Sequence, residues 1–100
     1  MFFVMKKKIL IPTAFSPNED ESLLNESYFI EDSAGVVTDF HLEIFNRLGQ
    51  KVFSTNDITI KWDGTYRGKK LNPQVFDFYL ELKCIGDKQL FKKGNITLIR

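Results

Sequence analysis

The stretch Asp39-Phe-His-Leu-Glu-Ile-Phe-Asn-Arg-Leu-Gly-Gln-Lys-Val-Phe53 decides the fold of this chain. Its first half alternates the apolar residues Phe40, Leu42 and Ile44 with more polar ones. A period of two predicts a strand that turns one face to the core. Gly49 suits the left-handed position that closes a short turn with a bulge. The stretch is therefore predicted to be a β-hairpin, with its first strand over residues 36–46.

Residues 75–84 show the same alternation more strongly, with apolar side chains at every second position. These apolar residues are Phe76, Phe78, Leu80 and Leu82. Further on, Gly86-Asp87 is a two-residue hairpin signal, and a return strand is expected over residues 89–93. Gly94 then indicates a bulge, and residues 96–100 are predicted to form the last strand.

The remaining strand signals are shorter. Residues 9–15 are apolar but include Pro12, which lacks the amide donor, so we expect an edge strand there. Residues 28–30 and 57–61 are each interpreted as a short strand. Residues 16–22 contain turn-forming and charged side chains without an apolar period, which predicts a loop.

About seven short strands, with turn signals every 8–12 residues and no convincing helix, are typical of one architecture. We predict an all-β fold, an antiparallel immunoglobulin-like β-sandwich of about seven strands. The length of 100 residues fits one domain. We expect residues 1–8 to belong to a preceding segment or linker and residues 9–100 to form the domain. No N-terminal export signal is visible in residues 1–10.

Charge and cysteine content narrow the function classes. The net charge of +1 implies no bulk attraction to nucleic acid or to a membrane surface. Residues 9–46 hold eight acids and no Lys or Arg, whereas residues 61–100 hold nine basic residues and four acids. The two regions could attract each other within the fold or present two different faces. The one cysteine, Cys84, is predicted to be a small buried hydrophobe.

No motif supports catalysis. His41 is the only histidine and lies on the polar face of its strand, without a nucleophile motif nearby. We therefore predict no enzyme activity, no cofactor and no metal. Clustered oxygens at Asn18 and Asp20 make a weak candidate calcium loop, and a solvated acidic loop is the simpler interpretation. Trp62 could stack on sugars, but we expect it to close a corner over the core, with Asp63 bonded to its own turn.

The chain resembles the gliding-motility-associated C-terminal domain, the type B sorting domain of the Bacteroidetes type IX secretion system. Five anchors occur in order between Ile11 and Arg100: Ile11-Pro-Thr-Ala-Phe-Ser-Pro-Asn18, Phe40-His-Leu-Glu-Ile-Phe-Asn-Arg-Leu-Gly49 with Val52-Phe53, Trp62-Asp63-Gly64 with Gly68-Lys69, Asn72-Pro-Gln-Val-Phe76, and Lys92-Lys93-Gly94-Asn-Ile-Thr-Leu-Ile-Arg100. The chain departs from the family at Leu48, where Trp is usual, and at Glu19 and Glu21, where glycines are common.

The resemblance implies a non-catalytic sorting domain that directs an N-terminal passenger protein, by way of the periplasm, to the cell surface or exterior. The implied partners are outer-membrane translocon components, with no nucleic acid and no membrane insertion. The candidate recognition residues that it implies are Phe45, Asn46, Arg47, Gly49, Trp62, Asp63, Gly64, Gly94, Thr97 and Arg100. A physical mechanism is compatible with this function: the terminal strand, residues 95–100, and the hairpin around Gly49 would offer strand edges and a fixed surface for docking, with β-augmentation as one mode of binding. The alternative is a generic immunoglobulin-like adhesion or carbohydrate-binding module.

Overall fold

The computed structural model describes residues 2–5, 9–17, 27–32, 35–86 and 88–99, and within these ranges it contains ten strands and no helix. The strands are β1 Phe2–Met5, β2 Ile9–Pro12, β3 Ala14–Phe15, β4 Glu31–Asp32, β5 Val37–Phe45, β6 Lys51–Thr55, β7 Thr65–Tyr66, β8 Lys69–Lys70, β9 Gln74–Cys84 and β10 Leu90–Leu98.

Two sheets make up the body of the fold. A five-stranded sheet has the order β3-β10-β9-β5-β6, a three-stranded sheet has the order β1-β2-β4, and β7 and β8 form a separate hairpin. Every pair is antiparallel except β3 with β10, which run parallel. The all-β prediction is confirmed and the arrangement is consistent with a β-sandwich. The immunoglobulin-like connectivity stays a prediction.

The core lies between the two sheets. Ile9 and Ile11 of β2 belong to one buried cluster with Leu42 and Ile44 of β5 and with the inward side chains of β9 and β10. The alternation predicted for β9 is confirmed, because Phe76, Phe78, Leu80, Leu82 and Cys84 are all buried. Period-two patterns therefore identified the strands at the centre of the larger sheet.

Pro12 marks the point at which the chain leaves one sheet and enters the other. It ends β2, which lies between β1 and β4, so the edge-strand prediction is wrong for residues 9–12. The prediction holds for β3, which is the edge of the five-stranded sheet. Proline donates no amide hydrogen bond, so a ladder readily ends there.

Two of the predicted short strands are wrong. Within residues 28–30 only Tyr28 pairs, in an isolated bridge with Trp62, and the strand comes later as β4. Residues 57–61 form a turn, in which the Ile60 amide donates to the Asp57 carbonyl at 3.0 Å. The Asp57 carboxylate accepts from the amide and the hydroxyl of Thr59 at 2.9 and 2.6 Å, and this local bonding competes with strand pairing.

The two glycine signals near the C-terminus also need correction. The pairing of β9 with β10 begins at Leu82 with Leu90, so residues 83–89 lie between the paired positions and the connection is longer than a two-residue hairpin. No bulge occurs at Gly94, which pairs regularly with Phe78 inside one continuous strand. A Cβ atom at position 94 would lie 2.7 Å from Cε2 of Phe78. Gly94 therefore makes room for a buried ring.

Candidate recognition surface

The turn between β5 and β6 is held by Asn46. Its side-chain Oδ1 accepts from the amides of Leu48 and Gln50 at 3.0 and 2.9 Å, and its carbonyl accepts from the Gly49 amide at 3.0 Å. Gly49 has a φ of +84°, so the predicted left-handed turn position is confirmed. Leu48 is 93% exposed at the tip. The Asn46 amide also donates to the Gln50 carbonyl at 2.9 Å, so the turn presents an apolar side chain on a backbone held by four hydrogen bonds.

Arg47 ties this turn to the neighbouring strand β9. Its guanidinium lies 3.4 Å from the Asp77 carboxylate, and both side chains are about half exposed, which makes the pair weak. When the Asn95 amide is oriented with its nitrogen toward Asp77, it donates to the same carboxylate at 2.9 Å. Asp77 therefore links the hairpin to β10, a connection that depends on strand register and could not be predicted from the sequence.

An open depression of about 450 Å³ lies beside Asp77. Its lining residues are Phe45, Asp77, Phe78, Tyr79, Lys93, Gly94 and Asn95. Two of the candidate residues, Phe45 and Gly94, thus meet on one surface of the larger sheet. Thr97 pairs with Val75 on β9 and with Ala14 on β3, so it lies inside the sheet. Arg100 lies outside the described residues, as do Asn18 and Asp20 of the candidate calcium loop.

The Trp62-Asp63-Gly64 corner serves the fold. Trp62 is 2% exposed, and its ring packs edge-on against Phe76 with centroids 5.0 Å apart. Its indole nitrogen donates to the Thr65 carbonyl at 3.0 Å, while Asp63 accepts from the Thr65 amide at 3.1 Å. The corner prediction is confirmed, and a ring this deeply buried offers no face for stacking a sugar.

A small polar cluster lies in the middle of β5, around His41 and Glu43. His41 contacts Glu43 through Nε2 at 3.2 Å and bonds through Nδ1 to Asn56, while Lys51 donates to Glu43 at 3.1 Å. The hydrogen bond to Asn56 and, after it, the contact with Glu43 raise the pKa of His41. Lys51 first, and His41 second, lower the pKa of Glu43. The cluster contains no nucleophile and links two adjacent strands on the outer side of the sheet.

The described ranges contain neither a metal-binding group of side chains nor a membrane-spanning helix. No group of three His, Cys, Asp or Glu side chains there could hold a metal ion. The same residues include no helix with the length and apolar character needed to cross a membrane.

Comparison with protein families identifies the family of most of the chain. A family model described as the CHU_C type IX secretion signal domain matches residues 9–98. The matched range runs from β2 to β10 and confirms the resemblance found in the sequence. Neither the curated proteins nor the solved structures contain a match to the chain.

Proposed function

The chain belongs to the CHU_C type IX secretion signal domain family, and on that premise we propose how this sorting domain acts. It is a non-catalytic domain that carries an attached passenger through the periplasm to outer-membrane components of the type IX machinery. Those components then place the passenger at the cell surface or release it. The observation that carries the proposal is the family match, which extends from residue 9 to residue 98 and includes nine of the ten strands.

The candidate residues divide into two roles in this proposal. Trp62, Asp63 and Gly94 maintain the fold, because their contacts are made inside the corner and the core. Asn46 and Gly49 fix the turn between β5 and β6. These residues would affect recognition only indirectly, by maintaining the conformation of the surface that the partner contacts.

Arg47 is the candidate best placed to touch a partner, since its side chain is 58% exposed on a hydrogen-bonded turn and its pair with Asp77 is weak. We propose that the secretion machinery contacts Arg47 and the tip of its hairpin. Phe45 belongs to the same surface, where it lines the depression beside Asp77. A fixed backbone lowers the entropic cost of binding, which favours this turn as a contact point.

The experiment is a reporter fusion in a host that has the type IX machinery. The reporter carries an N-terminal periplasmic export signal and the complete 100-residue chain at its C-terminus. We expect the reporter at the cell surface or in the medium. Retention of the wild-type fusion in the periplasm would contradict the sorting function.

Deleting residues 95–100 would be a poor test of recognition. Thr97 and Leu98 pair with β3 on one side and β9 on the other, so the deletion removes part of an interior strand and the domain should unfold. The substitution Arg47→Glu is sharper, because it changes an exposed side chain. Arg67→Glu, in the exposed turn between β7 and β8, is a matched control with the same charge change. Equal export of the two variants would argue against contact at Arg47.

A further inference from the structure

Among the described strands, none pairs with the outer edge of β10 over residues 90–95. On the side away from β9, strand β3 pairs only with Thr97 and Leu98. Before these positions the chain crosses to the other sheet at Pro12, so no described strand covers the edge of residues 90–95. An edge of this kind presents unpaired amides and carbonyls that can pair with another strand.

The backbone geometry identifies which groups point outward. The amides of Thr97 and Ile99 donate to Thr13 and Phe15 at 2.9 Å, so they face the β3 side. Backbone donors alternate in direction along a strand, and the register of β10 is regular from Leu90 to Leu98. The amides of Phe91, Lys93 and Asn95 therefore face the open side. These three residues are also exposed, and Phe91 is 60% accessible.

Charge and polarity indicate what would pair there. Residues 88–99 carry three lysines and no acid. Lys93 lies over the ring of Tyr79 at 5.9 Å, and that ring also neighbours Phe91 at 6.3 Å. Beside the open edge, this face combines two aromatic rings with the Lys93 cation. The carboxylates of Asp77 and Glu81, which pair with Asn95 and Phe91, lie on β9, one strand farther from the edge. The face beside the edge is complementary to an extended segment whose alternate side chains are apolar and acidic.

A second copy of the chain is a poor occupant of the same edge. Pairing of two antiparallel copies through residues 90–95 would bring lysines of one copy close to lysines of the other, and like charges across a pair are unfavourable. Lysine on an edge strand is a common protection against such self-association. The lysines disfavour pairing through repulsion between like charges, so they do not disfavour pairing with a strand that carries acidic side chains.

We propose that residues 90–95 of β10 form a strand-addition site for an extended, carboxylate-bearing segment of a secretion component. The segment pairs with the amides of Phe91, Lys93 and Asn95, and its acidic side chains lie beside Lys93. Assigning the segment to a secretion component rests on the proposed function. The pairing itself rests on the geometry of the edge.

A peptide probe tests the pairing without reference to export. Amide hydrogen exchange of the complete chain is followed by NMR with a synthetic peptide of alternating Glu and Val. We expect protection of the Phe91, Lys93 and Asn95 amides, and roughly tenfold weaker binding for Lys93→Glu. Lys69→Glu, at the distant β7–β8 hairpin, should bind like wild type. No protection at saturating peptide, or a dimer of the chain in place of the complex, overturns the proposal.

The reporter fusion tests the link to export. Lys93→Pro removes an outward amide that does not belong to the β9 ladder, while Lys93→Ala keeps the amide and removes the charge. We expect Lys93→Pro to abolish export, Lys93→Glu to lower it severalfold and Lys69→Glu to leave it unchanged, with thermal melts confirming folding. If the wild-type fusion is exported and folded Lys93→Glu is exported equally well, the edge is not the docking site although the sorting function stands. If the wild-type fusion is retained, the sorting function itself is wrong.

Discussion

A methyl group added at Gly94 gives the sharpest test of how β10 is packed. The Cβ of Gly94→Ala would lie 2.7 Å from Cε2 and 3.0 Å from Cζ of Phe78, whereas carbon atoms prefer about 3.5–4.0 Å. Phe78 is only 4% exposed, so its ring must move inside a packed core. Overpacking of this kind costs about 1–3 kcal/mol. Alanine recovers about 0.5–1 kcal/mol of backbone entropy relative to glycine in a strand.

The net expectation is a loss of about 1 kcal/mol in the free energy of unfolding, which is the difference between the middles of these two ranges. For a domain of 60–100 residues, each kcal/mol shifts the melting temperature by about 4–8 °C. Urea denaturation and thermal melts of Gly94→Ala measure both quantities. The ring contact, rather than backbone strain, is the cause, because the φ of Gly94 is not among the positive values found at other glycines.

The partner substitution Phe78→Leu distinguishes the two causes, since leucine lacks the atoms that collide. In the double variant Gly94→Ala with Phe78→Leu, the loss should be smaller than the sum of the single losses by about 1 kcal/mol. Additive losses would refute the ring-contact explanation. So would a Gly94→Ala variant as stable as wild type.

The remaining predictions concern the turn, the polar cluster and the corner. Asn46→Ala removes two hydrogen bonds to the turn backbone and should cost about 1–2 kcal/mol in urea denaturation; an unchanged midpoint would mean that the turn does not depend on them. Because the pKa of His41 is raised in the fold, its stabilising contribution is complete below pH 6.5 and disappears as the pH rises through the folded pKa. Because the pKa of Glu43 is lowered, its stabilising contribution is present above pH 4.5 and disappears as the pH falls through the folded pKa. The contribution of this pair should therefore be largest between these values, and His41→Ala should flatten the decrease above pH 6.5, as measured by denaturation from pH 4 to 9. Trp62, which is 2% exposed, should show native fluorescence that iodide does not quench, and efficient quenching would contradict its burial.

A strand could be predicted from the sequence only where the alternation of apolar and polar residues was long enough. β5 and β9 were predictable because several apolar side chains recur at every second position, and only a strand puts such residues on one face. The signals at residues 28–30 and 57–61 were too short for that argument. At Asp57 the side chain bonds to its own turn, which outweighs the alternation of two isoleucines.

In the candidate site too, local features could be predicted from the sequence and contacts between distant segments could not. The Gly49 turn and the buried Trp62 corner were predictable, since each depends on contacts within a few residues of the chain. The link from Arg47 through Asp77 to Asn95 was not, because it joins a turn to two strands that are distant in the sequence. Period-two patterns say which face a residue occupies but not which residue lies opposite.

The sequence alone determined the β class, the central hairpin with Gly49, the inward face of β9 and the family resemblance. Tertiary structure decided the roles of Gly94 and β10. Gly94 suggested a bulge in the sequence, yet the register places it against Phe78, whose ring needs the space of the missing side chain. The terminal strand was expected to be an edge, yet β3 covers Thr97 and Leu98, and no other described strand pairs with that side of residues 90–95. Both outcomes depend on which strands become neighbours, and packing of distant segments sets that order.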